Sequence, residues 1–126
     1  MADFEDQLQE RRPERLIIRF DWSDFWGKME YYTDYPFLSK AAAQWLVDRG
    51  VRLLAMDTPS PDNPVDGWRS QIDSPVHKIF LANAVVVVEY LCNLKELKQR
   101  EVELLVLPLK IQDGDGAPAR CVAIET

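Results

Sequence analysis

Ser74-Pro-Val-His-Lys-Ile-Phe-Leu-Ala-Asn-Ala-Val-Val-Val-Val-Glu89 carries the only histidine of the chain, followed twelve positions later by a glutamate behind an apolar run. A serine ahead of Pro75 reads as a helix start, because the hydroxyl can accept an orphan amide hydrogen and proline loses nothing at the first helical position. His77 then falls in the first turn, and the helix is expected to end near Asn83. Four consecutive valines are too β-branched for an exposed helix and too continuous for a half-solvated strand, so they predict a buried strand. Glu89 sits where that strand leaves the core. Ligands of open α/β sheets bind at the carboxyl ends of strands, so His77 and Glu89 are the leading candidates for chemistry.

Working outward, Leu38–Arg49 predicts the clearest helix, with Ser39 as its cap, Ala42, Trp45 and Leu46 on one face and Gly50 as its stop. Val51–Met56 follows at once as a strand. With Leu16–Phe20 as an earlier strand, this gives a β-α-β unit whose strands run parallel. Asp57–Gln71, rich in proline and aspartate, reads as a loop at the functional edge of that sheet. Asp21–Pro36 is an aromatic loop whose Trp22, Phe25 and Trp26 either plug the core or wall a pocket for a flat ligand. Asp3–Arg12 and Leu94–Arg100 predict short helices. Glu103–Ile111, with Pro108 implying an edge position or a bulge, and Ala119–Glu125 predict a hairpin around the turn Gln112–Pro118. The expected fold class is α/β, a mixed β-sheet with flanking helices, in one domain over residues 1–126.

Composition narrows the function. A net charge of −6 argues against nucleic acid, which needs a basic face. No apolar run approaches the roughly 20 residues that span a bilayer, and the acidic start MADFED is unlike a secretory signal, so no membrane partner and a cytoplasmic location are expected. Cys92 and Cys121 lack CxxC spacing and read as small buried hydrophobes. A lone histidine is more often structural than catalytic, so a core His77 beside a capped Glu89 carboxylate is the plain alternative. Ser60, His77 and Asp62 could in principle form a triad, but there is no GxSxG elbow to carry it. QDGDG at 112–116 lacks the register of a calcium loop and reads as a hairpin turn.

The segments DWSDFWGKMEYYTDYPFLSKAAAQWLVDRGVRLLAMDTPSPD, His77 to Glu89, and LPLKIQDGDGAPARCVAIE, in this order, resemble the cyclase family of metal-dependent hydrolases, which includes kynurenine formamidase and isatin hydrolase. The resemblance implies a β/β/α fold, self-association into a homo-oligomer, and zinc- or manganese-dependent opening of a small aromatic amide or lactam. By that resemblance His77 is a metal ligand or proton shuttle and Glu89 a metal ligand. Asp57, Ser60 and Asp62 in MDTPSPD match a family stretch near the pocket, which implies contacts to the substrate or behind the metal ligands, although the same residues read equally as a set of turn residues. Trp22, Phe25 and Trp26 shape an aromatic substrate's pocket or pack the core. The family's first ligand motif, HxGTHxDxPxH, is absent from the sequence. The expectation is therefore a half-site of an arylformamidase-like enzyme, completed by a complementary chain or segment, or else a catalytically silent oligomeric binding protein of the same descent.

Overall fold

A computed structural model describes Leu8, residues 12–65 and residues 73–125. The chain divides into two compact units, Met1–Leu94 and Lys95–Thr126.

The first unit is a three-stranded parallel sheet with strand order β1 (Arg15–Ile18), β2 (Leu53–Met56), β3 (Val86–Val88). Its register sets Leu16 beside Leu54, Ile18 beside Met56, and Ala55 beside Val88. β2 runs through the centre, with Leu54, Ala55 and Met56 all excluded from solvent, which is why its sequence is apolar without alternation. Among the described residues the sheet is accompanied by α1 (Glu30–Thr33), α2 (Lys40–Asp48) and α3 (Pro75–Ala82). Ala43 and Leu46 of α2 and Val76 and Phe80 of α3 enter one core with Ile18, Val51, Leu54, Met56 and Val85. That core fixes where α3, and hence His77, begins.

Both ends of α2 follow from local chemistry. Ser39 Oγ accepts the Ala42 amide at 3.1 Å, as its position as a cap predicts. At the other end Gly50, at φ 88°, donates to Val47 O, and Val51 donates to Leu46 O. This pair of bonds closes the last carbonyls, and only glycine adopts that backbone without a Cβ penalty. The chain can therefore turn directly from α2 into β2.

Three expectations are corrected. β3 is not uniformly buried: Val85 and Val88 are, but Val86 is 54% exposed, because β3 is an edge strand that pairs only with β2 among the described residues. The helix expected over Leu94–Arg100 is a single 3-10 turn, Leu94–Glu96. Beyond it the Lys98 and Gln99 amides donate to Glu125 Oε1 at 2.6 and 2.7 Å, so they serve a side chain instead of a helical ladder. Cys92 is exposed and Cys121 half-buried, so neither is a core hydrophobe. The helix expected over Asp3–Arg12 falls largely outside the described residues.

The second unit is an antiparallel hairpin of β4 (Glu103–Pro108) and β5 (Ala119–Ile124), in register from Glu103 beside Ile124 to Pro108 beside Ala119. Pro108 is the last residue of its strand, where a missing amide costs no ladder bond. Paired residues share a face, so Leu105, Leu107, Val122 and Ile124 lie together, and all four are exposed. The fold is thus α/β with parallel and antiparallel strands, the two kinds in separate sheets. No described helix is long and apolar enough to cross a membrane.

Candidate metal and amide-hydrolysis site

The loop leaving β2 organises the site. Asp57, the first residue past β2, is buried, and its two carboxylate oxygens accept the Phe20 amide at 2.9 Å and the Trp22 amide at 3.0 Å. It therefore ties the segment after β1 to the end of β2. Ser60 Oγ accepts the Asp62 amide at 3.1 Å, and Pro61 O accepts the Leu38 amide at 2.9 Å. Asp62 is held inside as a result, 3% exposed.

Asp62 meets the start of α3. Its Oδ1 accepts the Val76 amide at 2.6 Å, and its Oδ2 accepts the His77 amide at 3.1 Å and lies 2.6 Å from His77 Nδ1. The expected cap, Ser74, makes no capping bond. Its backbone is left-handed at φ 46° and its hydroxyl donates to Asp73 Oδ1. An ionised carboxylate from the preceding loop has taken the cap, and it answers the positive end of the helix better than a hydroxyl does.

On its other side the His77 ring faces Glu89, the residue that follows β3. Nε2 lies 3.2 Å from Glu89 Oε1, with the two side chains 27% and 26% exposed. Oε1 is itself buried and, despite this closeness, is off hydrogen-bonding alignment and has no hydrogen-bond partner among the described residues. The turn beyond it is tightly set: Tyr90 adopts φ 61° while its amide donates to Thr58 O, and the Leu91 amide donates to Met56 O. A bulky residue held in the left-handed region is a strained feature of the kind that collects at functional sites. Here it fixes the residue next to Glu89.

Two carboxylates around one imidazole set its electrostatics. The Asp62 contact, then Glu89, raise the His77 pKa to about 9 against the opposing effect of burial. Burial works to raise the Asp62 carboxyl, but the bonds from the His77 ring and from the Val76 and His77 amides outweigh it and hold the group below its ordinary value. Burial also pushes Tyr35 and Tyr90 above the ordinary phenol value, with Glu89 adding to both shifts, which places both hydroxyls within reach of its charge.

The aromatic residues divide. Trp22 stacks on Phe25 with centroids 4.4 Å apart and gives its indole N–H to Tyr31 O. Trp26 instead lines a half-open cavity of about 230 Å³ with Ser23, Tyr31, Tyr90, Leu91 and Cys92. It meets Tyr31 and Tyr90 edge to face, at 5.2 and 6.0 Å, and remains 63% exposed. The structure thus brings His77 and Glu89 together and sets Trp26 beside the neighbour of Glu89. Asp57 and Ser60 are engaged in holding backbone. Sequence reasoning gave little weight to Asp62 and none to Tyr90. Nothing local marks a cap 14 residues upstream of the amide it binds, although a left-handed Tyr90 is a consequence of the turn that Glu89 needs.

The Cyclase family model matches residues 1–63, half of the sequence. The chain belongs to the cyclase family. It is similar to the kynurenine formamidase of Erythrobacter litoralis, 33% identical over 112 residues that cover 89% of this chain and 48% of that protein. An isatin hydrolase bound to the product analogue thioisatinate superposes with a TM-score of 0.78 at 20% identity, over 97% of this chain and 49% of that one. A predicted metal-dependent hydrolase from Bacillus stearothermophilus superposes with a TM-score of 0.73 at 24% identity, over 98% of this chain and 55% of that one. This cyclase-family chain spans about half the length of the relatives it matches.

Whether its residues suit a metal can be judged from the donors. Imidazole and carboxylate are both good ligands for zinc, and two donors about 2.0–2.2 Å from a tetrahedral ion stand about 3.3–3.6 Å apart. His77 Nε2 and Glu89 Oε1 are 3.2 Å apart, and Oε1 is buried without a hydrogen bond from any described residue. The pair suits two adjacent ligand positions. Among the described residues no cluster of three or more His, Cys, Asp or Glu suited to a metal is present.

Proposed function

We propose that the chain carries one half of a metal-dependent amide hydrolase site, with His77 Nε2 and Glu89 Oε1 as two donors to a zinc or manganese ion and an aromatic amide or lactam as substrate. The observation that carries this reading is the buried Glu89 Oε1, which has no hydrogen-bond partner among the described residues and stands one ligand spacing from the only imidazole in the chain. A negative oxygen in that position is costly unless a proton or a cation answers it; the protonated His77 ring does so in the metal-free chain, and a bound metal ion would take over that task. Catalytic zinc sites use about three protein ligands, so the remaining donors come from a complementary chain or segment, or from a second copy. A bound divalent ion would lower the pKa of its water to about 7 and polarise the scissile carbonyl.

The chain's own residues have definable tasks. His77 must surrender its Nε2 proton to solvent to act as a donor, because Glu89 Oε1, 3.2 Å away, is itself the second donor. Asp57 and Ser60 keep the loop in place through backbone bonds. Trp26, Tyr31 and Tyr90 present ring surfaces on a cavity whose lining includes Tyr90, the sequence neighbour of Glu89. About 230 Å³ is below the range of drug-sized pockets and suits one or two fused rings. The relatives named for kynurenine formamide and isatin hydrolysis act on compounds of that size class.

The test is paramagnetic titration. Manganese added to the purified chain should first broaden the NMR signals of His77 and Glu89, and His77→Ala or Glu89→Gln should remove that broadening. Broadening that is strongest elsewhere and indifferent to both substitutions would overturn the reading. Added N-phenylformamide, an aromatic formamide, should shift the indole signal of Trp26, and a Trp26→Ala variant should lose the interaction.

A second reading, a catalytically silent oligomer, is favoured by the lack of a third metal donor among the described residues and by the exposed Leu105, Leu107, Val122 and Ile124 on one face of the hairpin. Concentration-dependent sedimentation that is abolished by Leu107→Lys, in a chain that takes up no manganese at His77, would select it.

A further inference from the structure

We propose that Asp62 is the positioning residue of this site: one buried carboxylate fixes the start of α3 and the proton of the His77 ring together, so that Nε2 is the ring nitrogen left open toward Glu89. The proposal rests on the His77–Glu89 reading above for its functional meaning, but not for its geometry.

An ionised carboxylate has only acceptors to offer. A ring nitrogen 2.6 Å from Asp62 Oδ2 must therefore carry the hydrogen, and in the neutral imidazole the proton is then on Nδ1. The same Oδ2 also accepts the amide of His77, so the backbone and the ring of one residue are anchored on one atom. The other oxygen accepts the Val76 amide, which leaves the carboxylate no rotation that preserves all three contacts. Asp62 is 3% exposed and its own amide is tied to Ser60 Oγ, so neither water nor a loop shift readily substitutes for it. Ring orientation and helix start are a single constraint, imposed from a loop that belongs to neither α3 nor β3. An outer carboxylate that fixes the tautomer of a metal-binding histidine, and strengthens it as a donor, is a recurrent device.

An amide at position 62 cannot meet this demand. If the Asn oxygen takes the place of Oδ2, the NH2 group confronts the Val76 N–H, donor against donor. If it takes the place of Oδ1, the NH2 group faces the His77 amide and Nδ1, and the ring must move its proton to Nε2, the nitrogen that faces Glu89. Asp62→Asn therefore either loses a helix-capping bond or closes the metal-facing nitrogen.

His77 is the only histidine, so its ring nitrogens give one unambiguous pair of NMR signals. In the metal-free wild-type chain, at a pH where the ring is neutral, the 15N shifts are expected to report the Nδ1–H form, and Asp62→Asn is expected to populate the Nε2–H form. Zinc affinity, measured by competition with a chromophoric chelator, should fall about 10–100-fold in the variant. Glu89→Gln, which leaves Asp62 in place, should retain the Nδ1–H form. A wild-type ring in the Nε2–H form overturns the proposal, and this measurement holds even if Asp62→Asn fails to fold. A folded Asp62→Asn variant that keeps the Nδ1–H form with undiminished stability also overturns it, since one amide would then meet both demands. A wild-type chain in the Nδ1–H form that binds no zinc supports the positioning role while refuting the hydrolase reading.

Discussion

Raising the pH from 6.5 to about 9 should remove stability from this protein in an amount set by one side chain. The His77 pKa is raised in the folded state from 6.5 to about 9 by Asp62 and Glu89. A raised pKa means that the folded state holds the proton more tightly than the unfolded chain does. The contribution is therefore complete below 6.5 and disappears as the pH climbs through the folded value. Each unit corresponds to about 1.4 kcal/mol, and with the side chain 27% exposed and partly screened we expect about 2–3 kcal/mol. Against a total stability of about 5–15 kcal/mol this is a large fraction. Tyr31, Tyr35 and Tyr90 are all pushed above the ordinary phenol value by burial and remain protonated in this window. The assay is urea unfolding of the metal-free chain, followed by tryptophan fluorescence at the two ends of the window, for the wild type and for His77→Gln. The wild type should lose stability with rising pH and the variant should lose much less. Equal wild-type midpoints at both ends, or an undiminished loss in His77→Gln, would refute the assignment of a protonated imidazole held between two carboxylates.

Three other outcomes follow from the same geometry. Phe80→Ala, at a fully buried position on α3, should cost about 3–5 kcal/mol in urea unfolding, while Leu81→Ala, 60% exposed beside it, should change stability by no more than about 0.5 kcal/mol. Ser39→Ala should cost about 1 kcal/mol through its lost cap, whereas Ser74→Ala should cost far less because no capping bond exists there; equal losses in thermal unfolding would contradict the cap assignment. Zinc must displace the Nε2 proton, so its affinity should rise about tenfold per pH unit between 6.5 and about 9 and then level off, as read by chelator competition; a flat profile would place the ion elsewhere.

The elements most legible in the sequence are those whose causes are local. α2 was readable because Ser39, the spacing of Ala42 and Leu46, and Gly50 each act within one or two turns, and the contacts at 39 and 50 are the expected ones. The β4–β5 hairpin was readable from its alternation and its turn residues. The helix over Leu94–Arg100 failed because its amides are claimed by Glu125, 26 and 27 residues away. Ser74 failed as a cap for the same kind of reason: a stronger acceptor arrives from Asp62, and local preference yields to it.

The sequence by itself determined the alternation of strands and helices, the family, and the spacing that puts a histidine in the first turn of α3 and a glutamate just past β3. Those follow from periodicity, capping chemistry and residue order. Only the tertiary structure decided that His77 points one nitrogen at Asp62 and the other at Glu89, that Oε1 of Glu89 is buried without a hydrogen bond from any described residue, and that Trp26 lines a cavity where Trp22 does not. The reason is distance along the chain. Asp62, His77 and Glu89 come from a loop, a helix start and a strand end, and packing Phe80 and Val76 against β2 brings them within bonding range. No pattern confined to one segment encodes that meeting.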